Sequence, residues 1–400
     1  MKILFLTMSN FDSVRERGIY TDLIRALERR GHHITALCPI EKKYRQHTHE
    51  KNEDGIRLIR VRTGDLFNVG LVRKLLSRAG VCHRYRAALD RFCPHEEFDL
   101  VLYTTPPTTL APIVRRLKKT GAYTYLMLKD IFPQNAADLG LIRQNGLAFR
   151  FFRHGEKSIY KAADTIGCMS PANMDFLKRQ DPWIDESKIT ECPNAVEVRE
   201  ASVTAAEKAT IRAQYNLPAD RCIFVYGGGL GKPQGTEFLQ RVATATDCDL
   251  FFLIIGSGAC FDDLKKLEAE KPATIRVLSW LPTDDYDRLV RACDVGLILL
   301  NPRFTIPNFP SRLLGYMQAK LPVLAATDTA TDIGRIAEAA GFGLWCENGD
   351  VDGFLRAAKV LTDDARRAAM GARGFDYLCR HYSADIVADR ILDRVHTERN

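Results

Sequence analysis

The chain has 400 residues, of which 46% are hydrophobic and 27% are charged, and its formal net charge is +7. These fractions are ordinary for a globular protein, and the length allows two or three domains with large cores. The positive charge favours anionic ligands or an anionic membrane surface. It is too small to indicate nucleic acid, so no nucleic-acid partner is expected.

The eleven cysteines are scattered, and several lie in apolar, strand-like runs such as ITALCP, TIGCMS and RCIFVYGG. No C-x-x-C pair or Cys/His cluster has the spacing of a metal site. We therefore expect reduced, buried thiols in a cytosolic protein. The apolar run MKILFLTMSNF is too short for a signal peptide, and no stretch approaches the roughly 20 apolar residues that cross a bilayer.

Strands and helices alternate from the amino terminus onward. The strand KILFLTMS is followed by a loop, the helix IYTDLIRALERRG and the strand HITALCP. Further buried strands are predicted in FDLVLYTT, AYTYLMLKD and DTIGCMS, each followed by a helical pattern. This alternation is typical of a doubly wound parallel sheet.

A polar segment without strand character, at about 195–220, is predicted to be a linker. The pattern then restarts in CIFVYGGGLG, DLFFLIIGSG, TIRVLSWLP, VGLILLN, LPVLAATD and FGLWCEN. We predict an α/β protein of two Rossmann-like doubly wound domains facing a cleft, at 1–197 and 198–373, with a C-terminal helix at 374–400 crossing back to the first domain. Ligands of such sheets bind at the carboxyl ends of the strands.

Four successive strand ends of the second domain carry Gly, Pro or basic residues. The first is the turn YGGGLGKPQG, where Gly228 and Gly229 allow close backbone approach and Lys232 can reach a phosphate. IIGSG, SWLP and NPRFTIPNFPSR end the next three strands. A tight strand-to-helix turn explains the first motif equally well, but the convergence of all four predicts a nucleotide-diphosphate pocket.

The stretch NFPSR precedes an amphipathic helix. Pro310 and Ser311 suit a helix start, where free backbone N–H groups and the helix dipole favour an anion. Arg312 adds a fixed positive charge. The alternative is an ordinary helix cap.

In the first domain, Lys129 and Asp130 end a buried strand. An Asp at this edge is a candidate acid/base group or hydroxyl ligand, or else an N-cap of the next helix. Arg17 and Gly18, after the first strand, fall at the same edge, although Arg17 suits a solvated helix start equally well. Residues 66–91 combine an apolar face with many basic residues, which fits either a membrane-surface helix pair or an amphipathic helix packed on the sheet.

These motifs resemble the retaining glycosyltransferase family 4 of the GT-B fold, and within it the WbuB-like enzymes of bacterial capsule and O-antigen synthesis. The resemblance covers essentially the whole chain, and it is carried by RGIYTDLIRALERRGH, LKDIFPQNAADLG, IGCMSPANMDFL, CPNAVEV, FVYGGGLGKPQG and NFPSRLLGYMQAKLPVLAATD. It implies transfer of a hexosyl or N-acetylhexosaminyl group from a nucleotide sugar, with a UDP-sugar favoured, to a lipid-linked saccharide. The enzyme would lie at the inner face of the cytoplasmic membrane.

The resemblance also assigns roles to residues. The diphosphate would contact Gly228, Gly229, Lys232, Ser311 and Arg312, and the nucleoside would lie near Gly256 and Leu281. The neighbouring residues Asn308, Phe309 and Pro310 would complete the donor site. Arg17 and Gly18 would bind the acceptor. Asp130 and Lys129 would be the catalytic residues of the sugar transfer.

The sequence departs from the family at several positions. Pro307 and Gly315 stand where many members carry a pair of Glu residues that grip the donor. No cofactor or metal is expected, because Asp247 and Asp249, which have a D-x-D spacing, fall in a turn at the wrong end of the sheet. Two alternatives remain: a non-catalytic nucleotide-sugar binder, favoured by the missing Glu pair, and a nucleotide-sugar epimerase, which would need more carboxylates beside the sugar.

Overall fold

The computed structural model describes residues 1–65, 80–200, 202–246 and 250–399. The chain divides into two compact units. The N-terminal unit consists of Met1–Glu197 together with Ser383–Asn400, and the C-terminal unit is Val198–Tyr382. The membrane interpretation of residues 66–91 falls largely outside the described residues, as does the turn with Asp247 and Asp249.

The N-terminal unit is built on an eight-stranded sheet in the order β3-β4-β2-β1-β5-β6-β7-β8. Every pairing is parallel except that of β3 with β4. Its strands are β1 Lys2–Leu6, β2 His33–Glu41, β3 His49–Glu53, β4 Ile56–Thr63, β5 Leu100–Thr104, β6 Tyr123–Leu128, β7 Thr165–Cys168 and β8 Ile189–Glu191.

The helices of this unit cover the sheet with apolar faces. They are α1 Ile19–Arg29, α2 Val81–Phe92, α3 Ala111–Lys119, α4 Gln134–Asp138, α5 Leu147–Ala162, α6 Pro171–Gln180 and, from the end of the chain, α15 Ala384–Arg399. In α2, the described part of 66–91, Val81, Tyr85, Ala88 and Leu89 are buried. This part therefore packs as an ordinary amphipathic helix.

The hairpin β3–β4 is absent from the sequence prediction, although its turn carries a recognisable signal. Asp54 and Gly55 join the strands with φ values of 49° and 77°. Positive φ at two successive residues is the requirement of a type I′ turn, which Asp-Gly satisfies readily. The polar strand β3 hides this signal, because its sequence HEKNE has no apolar alternation.

Helix α15 belongs to the core of the N-terminal unit. Six of its side chains are buried in that core, namely Ala384, Val387, Ala388, Ile391, Leu392 and Val395. Its first turn is also paired with α1, because Arg30 donates to Asp385 at 2.8 Å and bonds both carboxylate oxygens of Asp389.

The C-terminal unit contains a six-stranded sheet in the order β11-β10-β9-β12-β13-β14, in which every pairing is parallel. Its strands are β9 Cys222–Gly229, β10 Leu250–Ser257, β11 Ile275–Leu278, β12 Val295–Leu299, β13 Val323–Thr327 and β14 Gly343–Glu347. The helices are α7 Ala205–Gln214, α8 Thr236–Ala245, α9 Phe261–Glu270, α10 Thr283–Arg291, α11 Arg312–Gln318, α12 Ile333–Ala339, α13 Val351–Val360 and α14 Asp364–Tyr377.

Helix α7 lies within the predicted linker, where Thr204 and Glu207 form a reciprocal capping box at its start. The core of this unit includes Phe224, Phe252 and Phe354, which pack ring against ring. The two parallel α/β sheets confirm the predicted fold class of two Rossmann-like domains. None of the described helices is both long and apolar enough to pass through a bilayer.

Candidate functional site

The carboxyl ends of β9 and β10 approach each other very closely in the C-terminal unit. Gly228 is the register partner of Gly256, and Gly229 that of Ser257. A Cβ atom on Gly256 would lie 1.9 Å from the carbonyl oxygen of Gly228. No side chain fits there, so this edge of the sheet presents bare backbone, as close approach of a ligand requires.

Two asparagines hold the glycine-rich loop in place. The backbone N–H of Asn301, just after β12, donates to the Pro233 carbonyl at 3.0 Å, and its side-chain amide donates to the Lys232 carbonyl at 2.8 Å. Asn348, just after β14, donates to the Leu300 carbonyl at 2.7 Å. The loop is thus tied to the segment after β12, and Asn348 ties that segment in turn to the end of β14. Neither asparagine was predicted from the sequence, although Asn348 directly follows β14 and Asn301 lies two residues after the end of β12.

The guanidinium of Arg312 lies beside Gly228 of this loop. Its guanidinium carbon is 4.3 Å from the centre of the Tyr226 ring, which is a cation–π contact. A Cβ atom on Gly228 would lie 3.2 Å from Nη2. The Nη1 atom is buried and has no hydrogen-bond partner among the residues that the structure describes. No acidic side chain among the described residues pairs with Arg312, so its charge is uncompensated.

Three tyrosines surround this guanidinium, and sequence analysis identified none of them. They are Tyr226 at the end of β9, Tyr286 on α10 and Tyr316 on α11. Burial raises the pKa of Tyr286 to about 12 against the opposing effect of the Arg312 charge, so its hydroxyl stays neutral at physiological pH. Tyr316 accepts a hydrogen bond from the Gly227 N–H at 3.1 Å. Neutral hydroxyls therefore face the cation, and none of them balances its charge.

The segment before α11 is fixed by β13. Asp328, buried at the end of β13, accepts hydrogen bonds from the N–H and hydroxyl of Thr331 at 2.8 and 2.9 Å. The Thr331 hydroxyl in turn accepts from the Asn308 N–H at 3.1 Å. Phe309 is buried with its ring centre 5.2 Å from that of Tyr382. The buried Phe309 ring therefore fixes the segment before α11 to the interior of the C-terminal unit.

The remaining predicted donor residues are more exposed. Pro310 is half-buried and Ser311 is exposed immediately before α11, and the Ser311 side chain makes no cap hydrogen bond. Lys232 is exposed in a short 3₁₀ turn, and no described acidic residue pairs with it. Leu281 is half-buried beyond β11. The structure thus brings Gly228 against both Gly256 and Arg312. It places the other predicted donor residues at the end of β9 and after it, beyond β11 and before α11.

The two positions that depart from the resembled family differ in their surroundings. Pro307 is buried, whereas Gly315 is exposed on α11, and a Cβ atom there would meet nothing within 4 Å. Space for a side chain therefore exists at Gly315 in this chain.

A cavity of about 1400 Å³ lies at the opposite, amino-terminal edge of the same sheet. Its lining includes Lys208 and Arg212, which both bond the carboxylate of Asp294 at 2.6 Å. Both cations therefore have an acidic partner, although they share a single carboxylate. The carboxyl edge, with its unpaired guanidinium, is the stronger candidate for an anion site.

In the N-terminal unit, Lys129 and Asp130 follow β6, as predicted. Burial lowers the pKa of Lys129, and its ammonium group donates to the carbonyls of Cys192 and Pro193, both at 3.3 Å. Lys129 therefore joins the end of β6 to the segment after β8. Asp130 is exposed at the carboxyl edge of the sheet.

Arg17 and Gly18 lie before α1, at the same edge of the sheet as Asp130. Arg17 is exposed and Gly18 half-buried. Nearby Tyr20, which sequence analysis did not select, has its pKa raised by burial and further by the charge of Asp130. The start of α1 and the end of β6 are thus neighbours. Across the described residues, no group of three or more His, Cys, Asp or Glu side chains could hold a metal ion.

Two family models match the chain in succession. A glycosyl transferase 4-like domain matches residues 19–195, and the glycosyl transferases group 1 domain matches residues 207–376. The chain belongs to the two-domain glycosyltransferases of the GT-B fold.

Individual relatives agree with this assignment. The chain is 27% identical over 257 residues to WbjE of Pseudomonas aeruginosa, described as a probable glycosyltransferase, covering 63% of each chain. It is 24% identical over 248 residues, 60% of each chain, to WcaI of Escherichia coli K12, whose description is a glycosyl transferase of colanic acid biosynthesis. Each alignment spans less than two thirds of the relative's own length.

A solved structure with the same fold is that of Anabaena HepE in complex with UDP and glucose. Its TM-score is 0.69 at 14% identity, with 99% of this chain and 100% of that chain covered. At this identity the likeness concerns the fold.

Proposed function

We propose that the protein is a retaining glycosyltransferase that moves a sugar from a nucleotide-diphosphate donor, with a UDP-sugar favoured, to a lipid-linked saccharide in bacterial surface polysaccharide synthesis. The observation that carries this proposal is the buried, unpaired Nη1 of Arg312 beside the bare backbone of Gly228. A buried cation without a counter-ion is costly unless an anionic ligand supplies one.

The diphosphate is the anion that fits this edge best. Backbone N–H groups of the glycine-rich loop would bind its oxygens, and the charges of Arg312 and of exposed Lys232 would attract them. Donor cleavage leaves negative charge on the departing nucleoside diphosphate, and fixed cations stabilise that charge as it develops. In the proposed reaction these two residues perform the role that a metal ion performs in other transferases, and no metal is required.

The acceptor site is proposed on the N-terminal unit, at Asp130 with Arg17 and Gly18. The exposed carboxylate would orient the attacking hydroxyl, and the leaving phosphate would take its proton. Lys129 would act by fixing the end of β6, because its ammonium group is bonded to two backbone carbonyls.

The polysaccharide role is supported by the relatives. WcaI is described as acting in colanic acid biosynthesis, and HepE binds UDP in its structure. We extend these properties to this chain as part of the proposal, together with the WbuB-like subgroup and a peripheral position at the inner face of the cytoplasmic membrane. The lipid part of the acceptor is the reason for that position.

A thermal-shift panel tests the donor site. The protein is heated with UDP, GDP and their common sugar conjugates, since a ligand that binds only the folded state raises the melting temperature. A shift with one nucleoside diphosphate supports the proposal and identifies the base. No shift with any of them, at concentrations that saturate a relative such as HepE, contradicts it.

A further inference from the structure

The exposed side of helix α5 in the N-terminal unit is apolar and basic. Leu147 is 88% exposed and Phe151 is 74% exposed, and Leu141, in the turn just before the helix, is 63% exposed. Single exposed apolar side chains are common on protein surfaces, but a contiguous group of them marks an interaction site. Phe151 is not loose, because its ring packs edge-on against Phe152, with centres 5.4 Å apart.

The exposed apolar side chains share one helical face with cations. Successive residues of an α-helix are rotated by about 100°, so positions three and four apart fall on one side. The exposed residues of α5 at this spacing are Leu147, Arg150, Phe151, His154, Lys157 and Lys161. We call this set the α5 face. The opposite side carries the buried Phe149, Glu156, Ile159 and Tyr160.

The α5 face carries no negative charge. Residues 139–155 contain no Asp or Glu, and Glu156 is buried, where it pairs with Arg153. Neither Arg150 nor Lys157 forms an ion pair with any described residue. Arg143, which is exposed in the turn beside Leu141, adds a further cation that forms no ion pair within the described part of the chain.

The far end of the face continues onto an aromatic side chain. The Lys161 ammonium lies 5.5 Å from the centre of the Trp183 ring, and Trp183 is 43% exposed. Helix α5 is 16 residues long, from Leu147 to Ala162. At 1.5 Å per residue this corresponds to about 24 Å of helix bearing apolar anchors, cations and a terminal Trp.

We infer that the α5 face, with Leu141 and Trp183, docks the protein onto the surface of an anionic phospholipid bilayer. Apolar and aromatic side chains would enter the headgroup boundary, and the cations beside them would meet lipid phosphates. A second copy of the chain fits this face poorly, because a two-fold interface would bring the cations of the face, Arg150 and Lys157 among them, against the cations of the other copy. Charge complementarity thus selects the membrane.

The inference deepens the membrane part of the proposed function, and it assigns to that part a surface separate from residues 66–91. Only the biological role of membrane binding, which is access to a lipid-linked acceptor, rests on the proposed function. Vesicle binding and nucleotide binding are measured independently, so the failure of one is distinguishable from the failure of the other.

Vesicle sedimentation of the full chain tests the inference. The vesicles contain phosphatidylcholine alone or mixed with phosphatidylglycerol. Wild-type protein is expected to sediment with the mixed vesicles and much less with the neutral ones. Arg150→Glu is expected to lower the partition coefficient by roughly 25-fold, since each unit of charge near such a surface contributes about fivefold and the substitution changes the charge by two units. Phe151→Ser is expected to lower it by about tenfold.

Matched controls lie elsewhere on the molecule. Arg356→Glu changes an exposed arginine of α13, and Tyr44→Ser removes an exposed aromatic ring from the N-terminal unit. Both are expected to bind vesicles like the wild type. Circular dichroism confirms folding of each variant, and Arg150→Glu remains informative if Phe151→Ser unfolds.

Three results would overturn the inference. The first is equal binding of wild type and both α5 variants to mixed vesicles. The second is equal binding of the wild type to neutral and anionic vesicles. The third is a stable dimer in light scattering that Phe151→Ser dissociates, which would assign the face to a second copy of the chain.

Discussion

Replacing Arg312 by Ala should separate ligand binding from folding. The wild-type guanidinium has one buried nitrogen without a partner, so a diphosphate oxygen there would receive a charge-assisted hydrogen bond. Such a bond contributes about 1.5–3 kcal/mol. Its loss corresponds to a dissociation constant roughly 10- to 150-fold larger in the variant.

Stability should change little in the same variant. The substitution removes the cation–π contact with Tyr226, which is worth about 0.5–2 kcal/mol. It also removes an uncompensated buried charge, whose desolvation opposes folding. Because these contributions have opposite signs, we expect the free energy of unfolding to stay within about 1 kcal/mol of the wild type.

Isothermal titration calorimetry with the nucleoside diphosphate found by the thermal-shift panel measures the binding, and urea unfolding measures the stability. Arg356→Ala is the control, because Arg356 is exposed on α13 and makes no ion pair with any described residue. Unchanged affinity in a folded Arg312→Ala protein would show that Arg312 does not bind the nucleotide. A large loss of stability would refute the argument that its charge is uncompensated.

Three further predictions concern the fold that carries the site. Gly256→Ala should lower the free energy of unfolding in urea by about 3 kcal/mol or more, since its Cβ would lie 1.9 Å from the Gly228 oxygen. Gly315→Ala, at an exposed helical position with open space, should instead raise it by about 0.5–1 kcal/mol. Equal effects of the two substitutions would contradict the close approach of β9 and β10. Ile391→Ala should cost about 2–5 kcal/mol, because Ile391 is fully buried in the N-terminal core; a neutral result would show that α15 is not part of that core. Burial raises the pKa of Asp328, so between the ordinary Asp pKa of about 3.9 and the raised value the folded state binds more protons than the unfolded state. Stability should therefore fall as pH rises through that window, and Asp328→Asn should flatten this slope in urea unfolding measured against pH; an unchanged slope would exclude Asp328 as its source.

The glycine-rich edge of the C-terminal sheet could be predicted from the sequence because its signals are local. Gly228 and Gly256 each follow a run of apolar residues, and parallel strands end at a common edge. The contact between Arg312 and Tyr226 could not be predicted in this way. It joins residues 86 positions apart, and it exists because α11 packs beneath the end of β9.

Lys129 shows a second limit of sequence reasoning. Its place after β6 was predicted correctly, but a strand-end lysine gives no indication of where its ammonium group points. Here the group is occupied by two carbonyls from the segment after β8. The α5 face was missed for a related reason, since the run FRFFRHG contains both buried and exposed aromatic residues. Periodicity alone does not reveal which side the sheet covers.

The return of α15 to the N-terminal unit has a consequence for biosynthesis. Val196 and Ser383 are bridge partners, and the Ala384 N–H donates to the Val196 carbonyl at 2.8 Å, so the chain leaves and re-enters this unit at adjacent points. During translation, residues 198–382 emerge before the helix that completes the first core. The unit made first is therefore finished last, with the hydrophobic groove for α15 open to chaperones until the ribosome releases residues 384–399.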